Sequence, residues 1–299
     1  MPVETLEDKV IIKDSRGSSA EIYFFGATVT SWKYRGKELL FLSKKSLLDG
    51  TKGIRGGIPV VFPQFAKAAD SSVETAALPQ HGLARISKFE WGGVSVDNES
   101  EVSVRFGLND SQVPENLRKV WPKKFKLIYT VTLNDDTLKT NLSVTNEDIA
   151  PFDFNVLLHT YYSIPDISKV SVDGLFNISY VDKVKNFTTD IDNNQSINFT
   201  QTTDRIYGNV PTEIIKININ DGSNEAFLLR RTNLKDTVVW NPWIDNAKNM
   251  SDLGDDEYKQ MVCIEPGHVT DYITLKPKES WEGGQTIQYV TLAIGHLSV

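Results

Sequence analysis

Apolar and polar residues alternate with a period of two over much of this chain, and that pattern narrows what it can fold into. Val102, Val104, Phe106 and Leu108 form one such run, and Phe125, Leu127, Tyr129, Val131 and Leu133 form another. Leu138, Thr140, Leu142 and Val144 follow, then Ile215, Ile217 and Ile219, and finally Ile287, Tyr289, Thr291 and Ala293. Alternation puts one set of side chains on one face, as a half-buried strand requires. Turn signals separate the runs: Asn134-Asp135-Asp136, Asn146-Glu147-Asp148, Asp221-Gly222-Ser223 and Gly283-Gly284. Helical spacing is confined to PENLRKVW, between Val113 and Pro122, which predicts a short helix. The spacing therefore predicts an all-β fold, a large antiparallel sandwich or barrel with few short helices. Residues 66–80 and 241–256 read as long irregular loops, a common home for function in a compact β domain. With no internal repeat or low-complexity linker, residues 1–299 are expected to form one domain.

Composition removes several classes of function. The charge is −7, from 32 basic and 39 acidic residues, which argues against a general nucleic-acid binder. Hydrophobic residues at 40% and charged residues at 24% argue against disorder as the main state. The N-terminal MPVETLEDKV has neither a basic region nor an apolar run, so no signal peptide is expected. No apolar stretch is long enough to span a membrane as a helix. Cys263 is the lone cysteine, so no internal disulfide and no Cys/His zinc spacing exists, and a reducing, cytoplasmic setting is expected. The N-x-[ST] triplets at Asn141, Asn177, Asn186 and Asn198 then read as chance. No obvious apolar interface stripe is present, and a monomer is expected.

Four histidines, His81, His159, His268 and His296, are the side chains best suited to move protons near neutrality. His159 lies in DFNVLLHTYYSI. There it shares one strand face with Asp153, Asn155, Leu157 and Tyr161, and reads either as a functional group or as core filler. Glu265 ends the apolar run 261–264, just before Pro266-Gly267. A carboxylate there either salt-bridges a neighbour or is put to use. The glycines of GIRGGIPVVFPQF, around Arg55, suit either a close backbone approach to a ligand or a tight turn. LPQHGLAR groups Gln80, His81 and Arg85, and two arginines in loops of an acidic protein suit a local anion site. The tryptophans of WNPW, Trp240 and Trp243, and Tyr161 beside His159 read as sugar platforms or as core.

Taken together, GIRGGIPVVFPQF, LPQHGLAR, LLHTYY, TTDRIYGNV, VVWNPW and CIEPGHV resemble, in order and spacing, the aldose 1-epimerase superfamily. Within it the chain is most similar to the glucose-6-phosphate 1-epimerases (hexose-6-phosphate mutarotases) in their fungal form. The resemblance implies a galactose-mutarotase-type β-sandwich that interconverts the α and β anomers of a hexose 6-phosphate. It implies His159 as the catalytic acid and Glu265 as the catalytic base, with Arg55, Gln80, Arg85 and Asp204 as substrate contacts and His81 as a possible further one. No metal or organic cofactor is expected. Reference acidities suggest that Glu265 starts as carboxylate and His159 as imidazolium, and Glu265 is expected to accept hydrogen bonds that aim it. The competing readings are a non-catalytic sugar-phosphate sensor on the same scaffold and a carbohydrate-cleaving enzyme, which would normally need two carboxylates.

Overall fold

The computed structural model describes residues 2–68 and 71–291. Ala293, His296 and two residues of the 66–80 loop lie outside the described residues. The described strands form three antiparallel sheets, of five, nine and eight strands. The five-stranded sheet runs from Val3–Thr5 to Lys37–Glu38.

The alternating segments of the sequence all fall in the nine-stranded sheet. Val102–Asn109, Phe125–Asn134, Thr137–Asn146, Ile214–Ile219 and Ser280–Thr291 are its members. Along Phe125–Asn134 the buried positions are the predicted ones, with half-buried or exposed residues between them. This sheet buries one face, which is the condition under which period two is visible.

The eight-stranded sheet is harder to see in the sequence. Its order is Thr188–Ile191, Ser179–Asp182, Thr203–Tyr207, Asp236–Asn241, Met261–Leu275, Phe152–Leu158 and Val60–Val61, with Tyr161–Ser163 also paired to Met261–Leu275. Its middle is covered on both sides. One face packs on the nine-stranded sheet: Phe154 meets Trp281 at 5.8 Å between ring centroids, and Tyr162 meets Phe227 at 4.9 Å. A buried polar link crosses the same interface, where Gln285 Nε2 donates to Thr160 Oγ1 at 2.8 Å. The other face holds a small cluster of Val61, Leu157 and Val238, bordered by Phe65, Ile206, Trp240 and Val269. Consequently 261–267 is buried without alternation.

The expected helix is present as Glu115–Val120. A second one, Trp243–Lys248, occupies part of the stretch expected to be irregular. Asn241 organises it: its side-chain oxygen accepts from Trp243 N at 2.9 Å, and its amide donates to the carbonyls of Tyr258 and Met261. Six residues are too few to show a helical period in sequence. Among the described residues no helix is long and apolar enough to cross a membrane.

Candidate active site

The outer face of the eight-stranded sheet carries a cleft of about 290 Å³. Arg55, Gln80, His81, His159, Asp204 and Glu265 line it. Six of the seven residues named from sequence thus converge, from segments more than 200 positions apart. Arg85 is the exception and is not among the lining residues.

Strand pairing positions the two central groups. Glu265 lies in Met261–Leu275, opposite Val238, and is only 1% exposed. His159 follows directly on Phe152–Leu158, and its backbone N–H donates to Pro59 O at 3.0 Å. The imidazole stacks on Tyr161 at 4.7 Å and 9°, and meets Trp240 edge-on at 5.9 Å. These contacts fix the ring plane. His159 Nδ1 then lies 3.4 Å from Glu265 Oε1. Nδ1 is buried and has no hydrogen-bond partner.

The electrostatics depart from the reference order. Burial first, then His81, Arg55 and Arg85, push His159 well below the ordinary histidine range. Burial first, then Asp204, push Glu265 well above the ordinary carboxylate range, against the pull of Lys183 and Arg55. Both shifts run against the expected carboxylate–imidazolium start, because a closed, apolar setting disfavours both charges. They run toward the uncharged forms, a protonated carboxyl on Glu265 and a neutral imidazole on His159. The expected aiming bonds are also missing: among the described residues Glu265 accepts no hydrogen bond, and His159 is its one ion-pair partner.

His81 is neutral as well. Burial, and then the nearby cations, push it down to about 3. Ala66 N–H donates to its Nδ1 at 3.2 Å, and its Nε2 lies 3.2 Å from the Gln80 side-chain nitrogen. Its ring meets His159 edge-on at 5.6 Å.

Arg55 donates to Tyr161 Oη at 3.0 Å and to Asp252 Oδ2 at 3.1 Å. Arg85, in the single turn Ala84–Ile86, donates to the Gln80 carbonyl at 3.0 Å. The Nε groups of both arginines are buried and unpaired. Buried polar groups are normally satisfied; among the described residues Arg231 Nε, outside the cleft, is the third guanidinium donor left unpaired. The glycines around Arg55 divide in role. A Cβ on Gly56 would lie 2.4 Å from Phe41 O, and one on Gly57 2.0 Å from Val29 O. Those two serve close backbone packing against Phe41 and Val29, which is the tight-turn reading. Gly53 differs, because a Cβ there would come within 2.6 Å of an Arg85 guanidinium nitrogen.

Asp204 sits opposite Trp240 in the sheet and pairs with Lys183 Nζ at 2.7 Å. Tyr161, one of the aromatic platform candidates, stacks on His159, whereas Lys183 and Asp252 are not marked by the sequence. Lys183 comes from a turn and Asp252 from the 249–256 loop, and no local pattern marks either. Of the two tryptophans, Trp240 lines the cleft, whereas Trp243 packs on Tyr258 at 5.4 Å. The fold also brings donor atoms of His159, Cys263 and Glu265 within 4.8 Å of one another, a set that sequence spacing does not reveal.

Residues 8–288 match the family model described as aldose 1-epimerase. A Cenchrus ciliaris protein named "Putative glucose-6-phosphate 1-epimerase" is 38% identical over 287 residues, covering 92% of this chain and 83% of its own length. A protein of the same name from Escherichia coli K12 is 31% identical over 264 residues, covering 88% and 84%. The crystal structure of a "putative mutarotase" from Salmonella typhimurium superimposes with a TM-score of 0.84 at 26% identity, over 97% of this chain and 93% of that one.

Proposed function

The chain belongs to the aldose 1-epimerase family, and from that premise we propose that it interconverts the α and β anomers of hexose 6-phosphates, glucose 6-phosphate foremost. The observation that carries this reading is the His159–Glu265 contact at 3.4 Å in the wall of a small polar cleft. Anomerisation needs one proton acceptor at the anomeric hydroxyl and one donor at the ring oxygen. In the ionised pair Glu265 takes the hydroxyl proton while His159 protonates the ring oxygen, and the bond from the anomeric carbon to that oxygen breaks. The pair is then neutral. Rotation about the bond between the first two carbons exposes the other carbonyl face. Ring closure runs the transfers backwards and restores the ion pair. Both protonation states hold a single proton, so the two half-reactions need no exchange with water. The neutral state favoured by burial is the one that receives the open-chain aldehyde.

Asp204 and Gln80 are suited to hold sugar hydroxyls, and neutral His81 is suited to a further polar contact. The unpaired Nε donors of Arg55 and Arg85 support a doubly charged ester group at that end of the cleft. A cleft of about 290 Å³ lies at the small end of ligand sites and favours a monosaccharide over an oligosaccharide. The continuous core running from Val10 to Tyr289 supports one folding unit, and the lone buried Cys263 supports a reducing, cytoplasmic setting.

Magnetisation transfer between the two anomeric proton signals of equilibrated glucose 6-phosphate tests the activity. Exchange well above the buffer rate is expected. Saturable binding without faster exchange would instead support the sensor reading.

A further inference from the structure

We propose that His159, Cys263 and Glu265 form a binding site for a soft divalent cation, of the zinc and cadmium class, that competes with the sugar for the same pair. Cys263 is the chain's only cysteine, and the sugar chemistry gives it no task. It precedes Glu265 by two positions in Met261–Leu275, so the two side chains leave the same face of the strand. Its thiol is buried, and its sulfur, a His159 ring nitrogen and a Glu265 oxygen lie within 4.8 Å of one another.

The geometry of the pair is the second observation. At 3.4 Å, His159 Nδ1 and Glu265 Oε1 fall outside good hydrogen-bond range, and Nδ1 is buried without a partner. Two ligands on a tetrahedral zinc, each about 2.0–2.1 Å from the metal, stand about 3.4 Å apart. The nitrogen and the oxygen are thus already at ligand spacing. The sulfur, within 4.8 Å of both, belongs about 3.6 Å from each, a contraction of at most about an ångström. Magnesium and calcium prefer all-oxygen sites, whereas imidazole with thiolate selects zinc-like ions. The cation also supplies the positive charge that a buried thiolate otherwise lacks. Three protein ligands leave a fourth position. His159 and Glu265 line the cleft while Cys263 lies beneath them, so that position faces the cleft and takes water or a sugar hydroxyl. A bound cation occupies the acid and the base together and so stops proton transfer.

Cadmium chloride is the probe, followed through the ultraviolet thiolate-to-cadmium charge-transfer band. With one cysteine in the chain, the band reports this site alone. Titration of the native protein is expected to saturate at one cadmium per chain, and glucose 6-phosphate is expected to displace it. Anomer exchange is expected to fall in parallel, to recover with a chelator, and to ignore magnesium. Cys263→Ala should keep its exchange activity, lose the band, and raise the cadmium level for half-inhibition at least about tenfold. Cys263→Ser preserves side-chain size and gives the same comparison if alanine disturbs folding. The band is read without turnover, so the site is tested even if the epimerase reading fails. Absence of the band in the native protein, a band that the sugar phosphate does not displace, or equal inhibition of both cysteine variants and wild type would overturn the proposal.

Discussion

Replacing Arg85 with alanine separates the phosphate from the sugar in the energetics of this site. Arg85 donates to the Gln80 carbonyl and otherwise presents a buried, unpaired Nε. Its removal therefore strips an anion donor and little structural bonding. Arg55 is a poorer choice, because its loss would also strand Asp252 and the Tyr161 hydroxyl. A hydrogen bond to a charged partner contributes about 1.5–3 kcal/mol, which corresponds to roughly a 10- to 150-fold change. Arg85→Ala should thus lower kcat/KM for glucose 6-phosphate by about that factor, mainly through KM. Exchange of unphosphorylated glucose should change less than about threefold, since no sugar hydroxyl depends on the guanidinium. Both rates come from magnetisation transfer on the same preparation, with circular dichroism confirming the fold. Equal losses on the two sugars would refute the assignment, because a phosphate contact cannot act on a substrate without phosphate.

Two further outcomes follow from the same geometry. Gly53→Ala places a methyl group 2.6 Å from the Arg85 guanidinium, so it should raise KM for glucose 6-phosphate in the same direction as Arg85→Ala but by less, with glucose exchange unchanged; a KM at the wild-type value would show that the guanidinium relocates freely. His81 titrates at about 3 in the folded protein and near 6.5 when unfolded. The unfolded chain therefore binds the proton first, and stability falls as pH drops below about 6.5. Between pH 8 and 5 this one group removes about 2 kcal/mol, and His81→Gln should lessen the drop in Tm over that range; an identical pH slope in the variant would show that His81 charges without cost.

The sequence discloses the parts of this molecule that obey a simple period. The nine-stranded sheet has one buried face, and Phe125–Asn134 shows that directly in its alternation. The eight-stranded sheet does not, because Leu157 and Val238 fill a second apolar cluster beside the cleft while Phe154 and Val156 fill the main core. Candidate site residues were legible as motifs: a carboxylate at the end of an apolar run, a histidine among aromatics, arginines beside glycines. Their proton affinities were not legible, since the burial that pushes Glu265 up and His159 down exists only once distant strands close over them. The same holds for Lys183 and Asp252, whose meaning comes from the partners they meet, Asp204 and Arg55.

The central claim is that one shared proton on His159 and Glu265 drives anomer exchange. The measurement that tests it most directly is magnetisation transfer on glucose 6-phosphate with wild type, His159→Gln, Glu265→Gln and the double variant. Each single change should cut catalysed exchange by about 10²–10⁴-fold, and the double variant should be little worse than either, because a pair that works as a unit fails as a unit. A folded single variant that exchanges anomers at the wild-type rate, or losses that multiply in the double variant, would contradict the account.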